Sequence, residues 1–267
     1  MLSYSDFKTG LGILGLKKVP VIVHASLKAF GRIQGDGDTW LNAVLMALID
    51  TTGGLMMPTF TYKTMVTPGV GPPNNGITYG KKADLNLMAE CFHYEMPADP
   101  LMGKLPEALR KNPYAMRTAH PILSFAGINV DEALAAQTLY NPLEPVGVLA
   151  NQDGWVLLMG VDHTVNTSIH YAEKLAGRHQ FVRWAYVKKQ IVECYGFPGC
   201  SDGFTELEEE LGPHTNRVEI GPSFVDAIPI KALIRVVRAR LKANPLDLLC
   251  QREDCERCQD VRNTLIK

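Results

Sequence analysis

A histidine and a glutamate three residues apart, His170 and Glu173 in NTSIHYAE, follow directly on the apolar run WVLLMGVD, Trp155 to Asp162. On a helix that spacing puts both side chains on one face. An imidazole titrates near neutrality, and a carboxylate beside it can orient the ring and stabilise its charged form. The pair is therefore suited to taking a proton from a nucleophile that attacks a carbonyl. Glu173 otherwise reads as an ordinary acid of a helix surface. Thr167 and Ser168 fall where the run has ended and the helix begins, so either hydroxyl, or the free N–H groups there, could receive a developing oxyanion. Asn166 or Thr167 equally serves as the N-cap. His120, in HPILSFA, precedes Pro121 and is held extended, either bordering a site as a substrate-binding residue or bonding backbone.

A second constellation lies at the end of the chain. Cys250, Cys255 and Cys258 form C-x4-C-x2-C, a spacing that lets thiolates converge on one cation, with Cys200 or Cys194 available as fourth ligand of a structural zinc site. The alternative is three surface thiols on a terminal helix.

The elements that must position these groups are legible in outline. The chain has 267 residues, 46% of them hydrophobic, and a formal net charge of -1. That is enough for one large core, expected as a single domain over 1–267 with a cysteine-rich tail from 245. Lys and Arg are scattered, which excludes an electrostatic footprint for nucleic acid or an anionic membrane and favours a small-molecule partner. The start carries no secretory pattern and no eighteen apolar residues run together, so the expected location is cytoplasmic. Nothing in the sequence addresses oligomeric state.

Val19 to Leu27 reads as a buried strand, TWLNAVLMALID as a helix capped by Asp38 or Thr39, and Leu55 to Tyr62 as the next strand, together a unit of an α/β sheet. Lys63 to Gly80 is rich in Thr, Pro, Gly and Asn and predicts a long loop, a candidate lid over a site. Helices are expected over Lys81 to Glu90, Met102 to Pro113, Asp131 to Tyr140 and Thr167 to Ala176. FVRWAYVKKQIVECYGF predicts two antiparallel strands that make the sheet mixed. Two late helices, TELEEEL and KALIRVVRARLKA, precede the tail.

Six ordered blocks make the chain similar to the aminoglycoside 3-N-acetyltransferase, or antibiotic N-acetyltransferase, family. They are VHASLKAFGRIQGDG, GGLMMPTFT, MGKLPEALRKNP, RTAHPILSFAG, PLEPVGVLANQDGWVLLMGVDHTVNTSIHYAE and LLCQREDCERC. The resemblance implies a three-layer α/β/α sandwich with a mixed, mainly parallel central sheet, unrelated to the GNAT acetyltransferase fold. It implies acetyl-coenzyme A as donor, an amine as acceptor and a role in antibiotic resistance. It makes His170, the histidine of Asn-Thr-Ser-x-His, the catalytic one, with Glu173 and Thr167 beside it, and it favours Cys200 over Cys194. Coenzyme A carries phosphates, so the turn from Ser26 to Gly37, with Ser26, Leu27, Gly31 and Gly35 for close backbone approach and Lys28 and Arg32 for charge, is its expected cradle. Arg117 is a further phosphate partner or a surface ion pair. Two departures stand out: Ala25 where the family commonly has Ser, and Asp36 where it has a second Gly.

Aminoglycosides are polycations and call for carboxylates in the cleft. The segment YGFPGCSDGF offers only Asp202, with Glu193 just before it; Asp84, Glu90, Glu95, Asp99 or the run Glu206 to Glu210 are left to compensate. Two acceptors therefore stay open: an aminoglycoside ring amine, or a less charged amine of a biosynthetic or detoxifying pathway. A zinc hydrolase or deaminase is the reading from a different class, disfavoured because four thiolates leave no open coordination position. A catalytically silent coenzyme A binder is the third.

Overall fold

The computed structural model describes residues 1–36, 38–80 and 83–265, with side chains of 83–85 outside the description. Ten strands are described: β1 (Pro20–Ala25), β2 (Gly54–Pro58), β3 (Met65–Val66), β4 (Met116–Arg117), β5 (Phe125–Ile128), β6 (Trp155–Met159), β7 (Phe181–Val187), β8 (Gln190–Phe197), β9 (Asn216–Ile220) and β10 (Ser223–Pro229). The helices are α1 (Tyr4–Ile13), α2 (Thr39–Thr51), α3 (Lys104–Lys111), α4 (Asp131–Ala135), α5 (Glu144–Asn151), α6 (Thr167–Leu175), α7 (Glu208–Leu211), α8 (Ile230–Ala243) and α9 (Glu256–Leu265).

Seven strands form the central sheet in the order β4-β5-β2-β1-β6-β10-β9. β1 pairs in parallel with β2 and β6, while β5, β4, β10 and β9 join through antiparallel ladders. The sheet is mixed as expected, but "mainly parallel" holds only for direction. β5 and β10 run against the other five and interrupt them, so parallel pairing is confined to the middle three strands. Side chains alternate across the sheet, as a two-residue period requires. Val21 and Val23 pack with Phe7, Val44, Leu48 and Leu109 of α1, α2 and α3, whereas Ile22 packs with Val156, Val146, Ile169 and Leu233 of β6, α5, α6 and α8. Helices thus cover both faces, and β1 is apolar apart from His24 because it is buried on both.

The antiparallel character has a different source from the expected one. β7 and β8 do pair antiparallel, but with β3 they build a separate three-stranded sheet. The β9–β10 hairpin, NRVEIGPSFVDAIP, supplies antiparallel pairing at one edge and was not anticipated; Gly221 with φ +59° makes its turn. β2 ends at Pro58, four residues earlier than predicted, although the Thr59 and Thr61 N–H groups still donate to Ser124 and Ile122 carbonyls. The helix expected over Lys81 to Glu90 is a 3-10 helix at Ala83–Met88, with Lys81 and Lys82 outside the described residues. The helix expected over Asp131 to Tyr140 stops at Ala135.

The loop from Lys63 is held against other parts of the fold. Asn75 Nδ2 donates to the Val182 carbonyl at 3.0 Å, Thr78 bonds Glu256, and Gly76 N–H bonds Asp260, which ties the loop to β7 and the tail. No described helix is long and apolar enough to cross a membrane.

Candidate active site

The three parallel strands β2, β1 and β6 all end at one cleft of about 1610 Å³, the position where open α/β sheets bind ligands. Gly160, just past β6, lets the chain turn there. It has φ +63°, and a Cβ on it would lie 2.5 Å from Ala29 Cβ and 3.1 Å from the Ser26 carbonyl. That close approach seats the turn after β1 against the end of β6, where the Ser26 N–H donates to the Met159 carbonyl at 2.9 Å.

From β6 the chain passes through a short 3-10 turn, His163–Val165, into α6. Asn166 is the N-cap, its side chain accepting from the Ser168 N–H at 3.1 Å, so Thr167 is freed from that role and borders the cleft. One turn into α6, His170 also lines the cleft. Its Nδ1 lies 2.8 Å from Glu173 Oε2, and both residues are buried, at 9% and 2% exposed. The carboxylate on Nδ1 selects the Nδ1–H tautomer and leaves Nε2 as the basic nitrogen. The Phe204 ring packs edge-on against the imidazole, centroids 4.8 Å apart. Behind the pair, Arg178 Nε lies 3.7 Å from Glu173 Oε1, and Arg178 Nη2 donates to the Asp247 carbonyl at 2.6 Å. Burial lowers the Arg178 guanidinium from its ordinary value, and the charge of Glu173 opposes that. A buried carboxylate is thus held between an imidazole and a guanidinium.

Of the turn expected to cradle phosphates, Ser26, Leu27 and Lys28 line the cleft. Gly31, Arg32 and Gly35 do not: a Cβ on Gly31 would lie 3.7 Å from Pro222, the Arg32 carbonyl accepts from the Leu2 N–H, and Gly35 backs onto Trp40. Gly37 lies outside the described residues, as does the Asp84 side chain. Arg117 is neither a phosphate partner nor a surface ion. Its guanidinium is buried and donates to the Tyr94, Met96 and Thr59 carbonyls and to Ser124 Oγ, and burial pulls it down to about 10. Asp202 is 3.0 Å from Arg252 and off the cleft. His120 is likewise off the cleft. Its Nδ1 accepts from the Ile122 and Leu123 N–H groups at 3.2 and 3.0 Å, shaping the loop after Pro121 as a structural group.

Sequence reasoning missed Trp40, Phe60, Tyr62, Lys104, Phe197 and Arg257 as cleft residues, and His24 at the end of β1. The alternation of β1 was the only signal for His24. The others arrive from distant segments. Burial pushes the Tyr62 phenol up to about 12, so it enters the cleft as a neutral hydroxyl.

His24 and His120 set an acid limit on stability. They are 5% and 4% exposed, and burial drives them down to about 3 and about 4. In the unfolded chain a histidine titrates near ~6.5. Both rings are therefore neutral when folded, and below ~6.5 the unfolded state takes up protons that the fold refuses. Stability is intact above that pH and falls toward pH 4, by up to roughly 1.4 kcal/mol per pH unit for each ring. The melting temperature is expected to be several degrees lower at pH 5 than at pH 7. Equal values at both would contradict the buried neutral state.

The four cysteines Cys200, Cys250, Cys255 and Cys258 converge. Their Sγ atoms all lie within 4.8 Å of one another, and all four residues are buried. Cys250 and Cys258 sulfurs are 3.5 Å apart. Tetrahedral zinc with bonds of ~2.3 Å needs sulfurs roughly 3.8 Å apart, so the set fits that ion. Cys194 stands elsewhere in β8, its thiol pushed up to about 12 by burial. None of the four sulfurs belongs to the cleft wall.

The family model described as aminoglycoside 3-N-acetyltransferase matches residues 22–242. The chain belongs to the aminoglycoside 3-N-acetyltransferase family. Among curated members of that family, aminoglycoside N(3)-acetyltransferase IX of Micromonospora chalcea is 32% identical over 181 residues, which is 64% of this chain and 62% of that protein. The match thus spans less than two thirds of the relative's length. The apoenzyme crystal structure of aminoglycoside acetyltransferase AAC(3)-IVa superposes with a TM-score of 0.77 at 21% identity, covering 98% of each chain. A binary structure of AAC-IIIb with CoASH superposes at 0.71 and 19% identity, over 90% of this chain and 96% of that one. The three-layer α/β/α fold of the aminoglycoside 3-N-acetyltransferase family is therefore the fold of this chain.

Proposed function

We propose that this chain transfers the acetyl group of acetyl-coenzyme A directly to an amine in a ternary complex, with His170 as general base. The observation that carries the reading is the His170–Glu173 pair, 2.8 Å apart on α6 at the edge of the cleft, in a chain of an acetyltransferase family. An amine sheds a proton as its nitrogen bonds the thioester carbon and the carbon–sulfur bond breaks. Nε2 of His170 takes that proton and returns it to the departing sulfur, while Glu173 holds the ring and stabilises the imidazolium. Thr167 and the start of α6 face the cleft where negative charge gathers on the carbonyl oxygen. The CoASH bound to AAC-IIIb supports coenzyme A as the donor, and Ser26, Leu27, Lys28, Lys104 and Lys111 of the cleft lining are the residues we assign to it here. Because acetyl-coenzyme A is made inside cells, the reading carries a cytoplasmic location with it. The aminoglycoside acceptor is the part of the family pattern that this cleft supports least.

The test is thiol release from acetyl-coenzyme A with an amine panel. Arg178 gives it a directional check. Its guanidinium offsets the Glu173 charge, so Arg178→Met exposes the imidazole to the full carboxylate and moves the acidic limb of kcat/KM to higher pH. Glu173→Gln removes that charge and moves the limb to lower pH. Breaking the buried pair also costs roughly 3 kcal/mol of stability. Shifts of the same sign in both variants would contradict the arrangement.

We further propose that Cys200, Cys250, Cys255 and Cys258 hold a structural zinc. Four thiolates would close its coordination sphere and fasten the tail to the loop after β8. The metal chemistry stays outside the cleft, which weighs against the hydrolase reading.

A further inference from the structure

The described lining of the cleft holds more cations than carboxylates. Lys28, Lys104 and Lys111 line the cleft together with Asp38 and Glu107, the only carboxylates among the described lining residues. Glu107 is already spent on Arg110 at 2.8 Å and Lys111 at 3.4 Å. Three cations there suit the phosphates of coenzyme A. Phe60, Tyr62, Val161, Phe197 and Arg257 line the same cleft as His170.

Several described acids that could have served a polycation are engaged elsewhere. Asp202 pairs with Arg252, Glu90 with Lys63, and Glu95 with Arg110. Glu206 and Glu210 both pair with Arg240. Asp99 caps the Leu101 N–H. Arg257 is the reverse case. Its Nη1 donates to the Gly199 carbonyl at 2.8 Å, and no carboxylate of the described residues lies in ion-pair range of it. A guanidinium has five N–H donors. The carbonyl uses one, and the remaining donors can form a fork suited to a carboxylate or phosphate. A polycationic acceptor would instead bring its ammonium groups to a lining that carries Lys28, Lys104, Lys111 and Arg257 against Asp38 and Glu107.

We propose that the acceptor is an amine carrying its own oxyanion on an apolar body, the oxyanion seated on Arg257 and the amine presented to His170. The proposal rests on the acetyl-transfer reading and names its acceptor class. A carboxylate and a phosphate-type group share this recognition chemistry, and the test separates them.

Thiol release is followed for the full-length protein at saturating acetyl-coenzyme A with four amines: 4-(aminomethyl)benzoate, the matching aryl phosphonate, the matching carboxamide, and kanamycin as polycation. Either anionic amine is expected to exceed the carboxamide in kcat/KM by about 10-fold or more, the range of one charge-assisted hydrogen bond; the better of the two identifies the oxyanion. This comparison uses the wild-type chain alone and does not depend on how a variant folds. Arg257→Gln then closes the gap by raising the KM for the anionic amine, with the KM for acetyl-coenzyme A nearly unmoved. Preference for kanamycin, parity of carboxylate and carboxamide, or a rise confined to the KM for acetyl-coenzyme A overturns the proposal and leaves acetyl transfer standing. No amine-dependent release with any of the four removes the transfer reading and this inference with it.

Discussion

His170→Ala leaves a folded protein that still binds coenzyme A and loses about 10³-fold in kcat, roughly 4 kcal/mol of transition-state stabilisation, the middle of the range for a positioned general base. The expectation of normal folding has a structural ground. His170 lies at the cleft edge of α6, its side chain 11% exposed, and the N-cap bond from Asn166 to Ser168 does not involve it. What remains behind is Glu173, still near Arg178 at 3.7 Å, so the truncation does not strand a bare charge. Circular dichroism and coenzyme A titration separate loss of chemistry from loss of structure. A His170→Ala protein that turns over within a few-fold of wild type would remove the base from the mechanism.

The second large effect belongs to the cysteine cluster. Purified protein is expected to carry about one zinc per chain. Chelation, or Cys258→Ser, is expected to lower the melting temperature by about 10 °C, taking roughly 3 kcal/mol for a closed thiolate site and the ordinary dependence of melting temperature on stability for a chain of this size. The direct contacts that the ion would reinforce include Arg257 Nη1 to the Gly199 carbonyl, Arg262 Nη2 to the Cys250 carbonyl at 2.8 Å, and the Arg252–Asp202 pair. Elemental analysis and a melting curve read the result without any reference to activity. Metal-free protein that melts at the same temperature as zinc-loaded protein would show that the four thiols are only neighbours.

What the sequence could and could not show divides along the distance over which residues act. The β1–α2–β2 unit, β6 and α6 were legible because apolar periodicity and caps are local, and the His170–Glu173 pair was legible because one helical turn brings the two residues together. Cys250, Cys255 and Cys258 were legible for the same reason, whereas the choice of Cys200 over Cys194 needed the family. Arg178 was not legible: it meets Glu173 only because the chain reverses after α6, and no spacing marks that. Arg257 reaches the cleft from a tail helix more than fifty residues beyond the loop it bonds, Gly199. Arg117 and Asp202 failed in the other direction, since charged side chains near a site were read as ligands when tertiary structure had given them partners. The β9–β10 hairpin was missed because its single Gly-Pro turn sits between two helices of stronger periodicity. The parallel share of the sheet was overstated because a strand order cannot be read from strands alone.

The central claim is that the acetyl group passes straight to an amine at His170. Measuring thiol release from acetyl-coenzyme A alongside the amount of N-acetylated amine, with and without acceptor, tests it most directly. The account predicts negligible release without an amine, one N-acetyl product for each thiol released when an acceptor is present, and loss of both together in His170→Ala. Thiol release at the same rate without an amine, or product formed at the wild-type rate by His170→Ala, would contradict it.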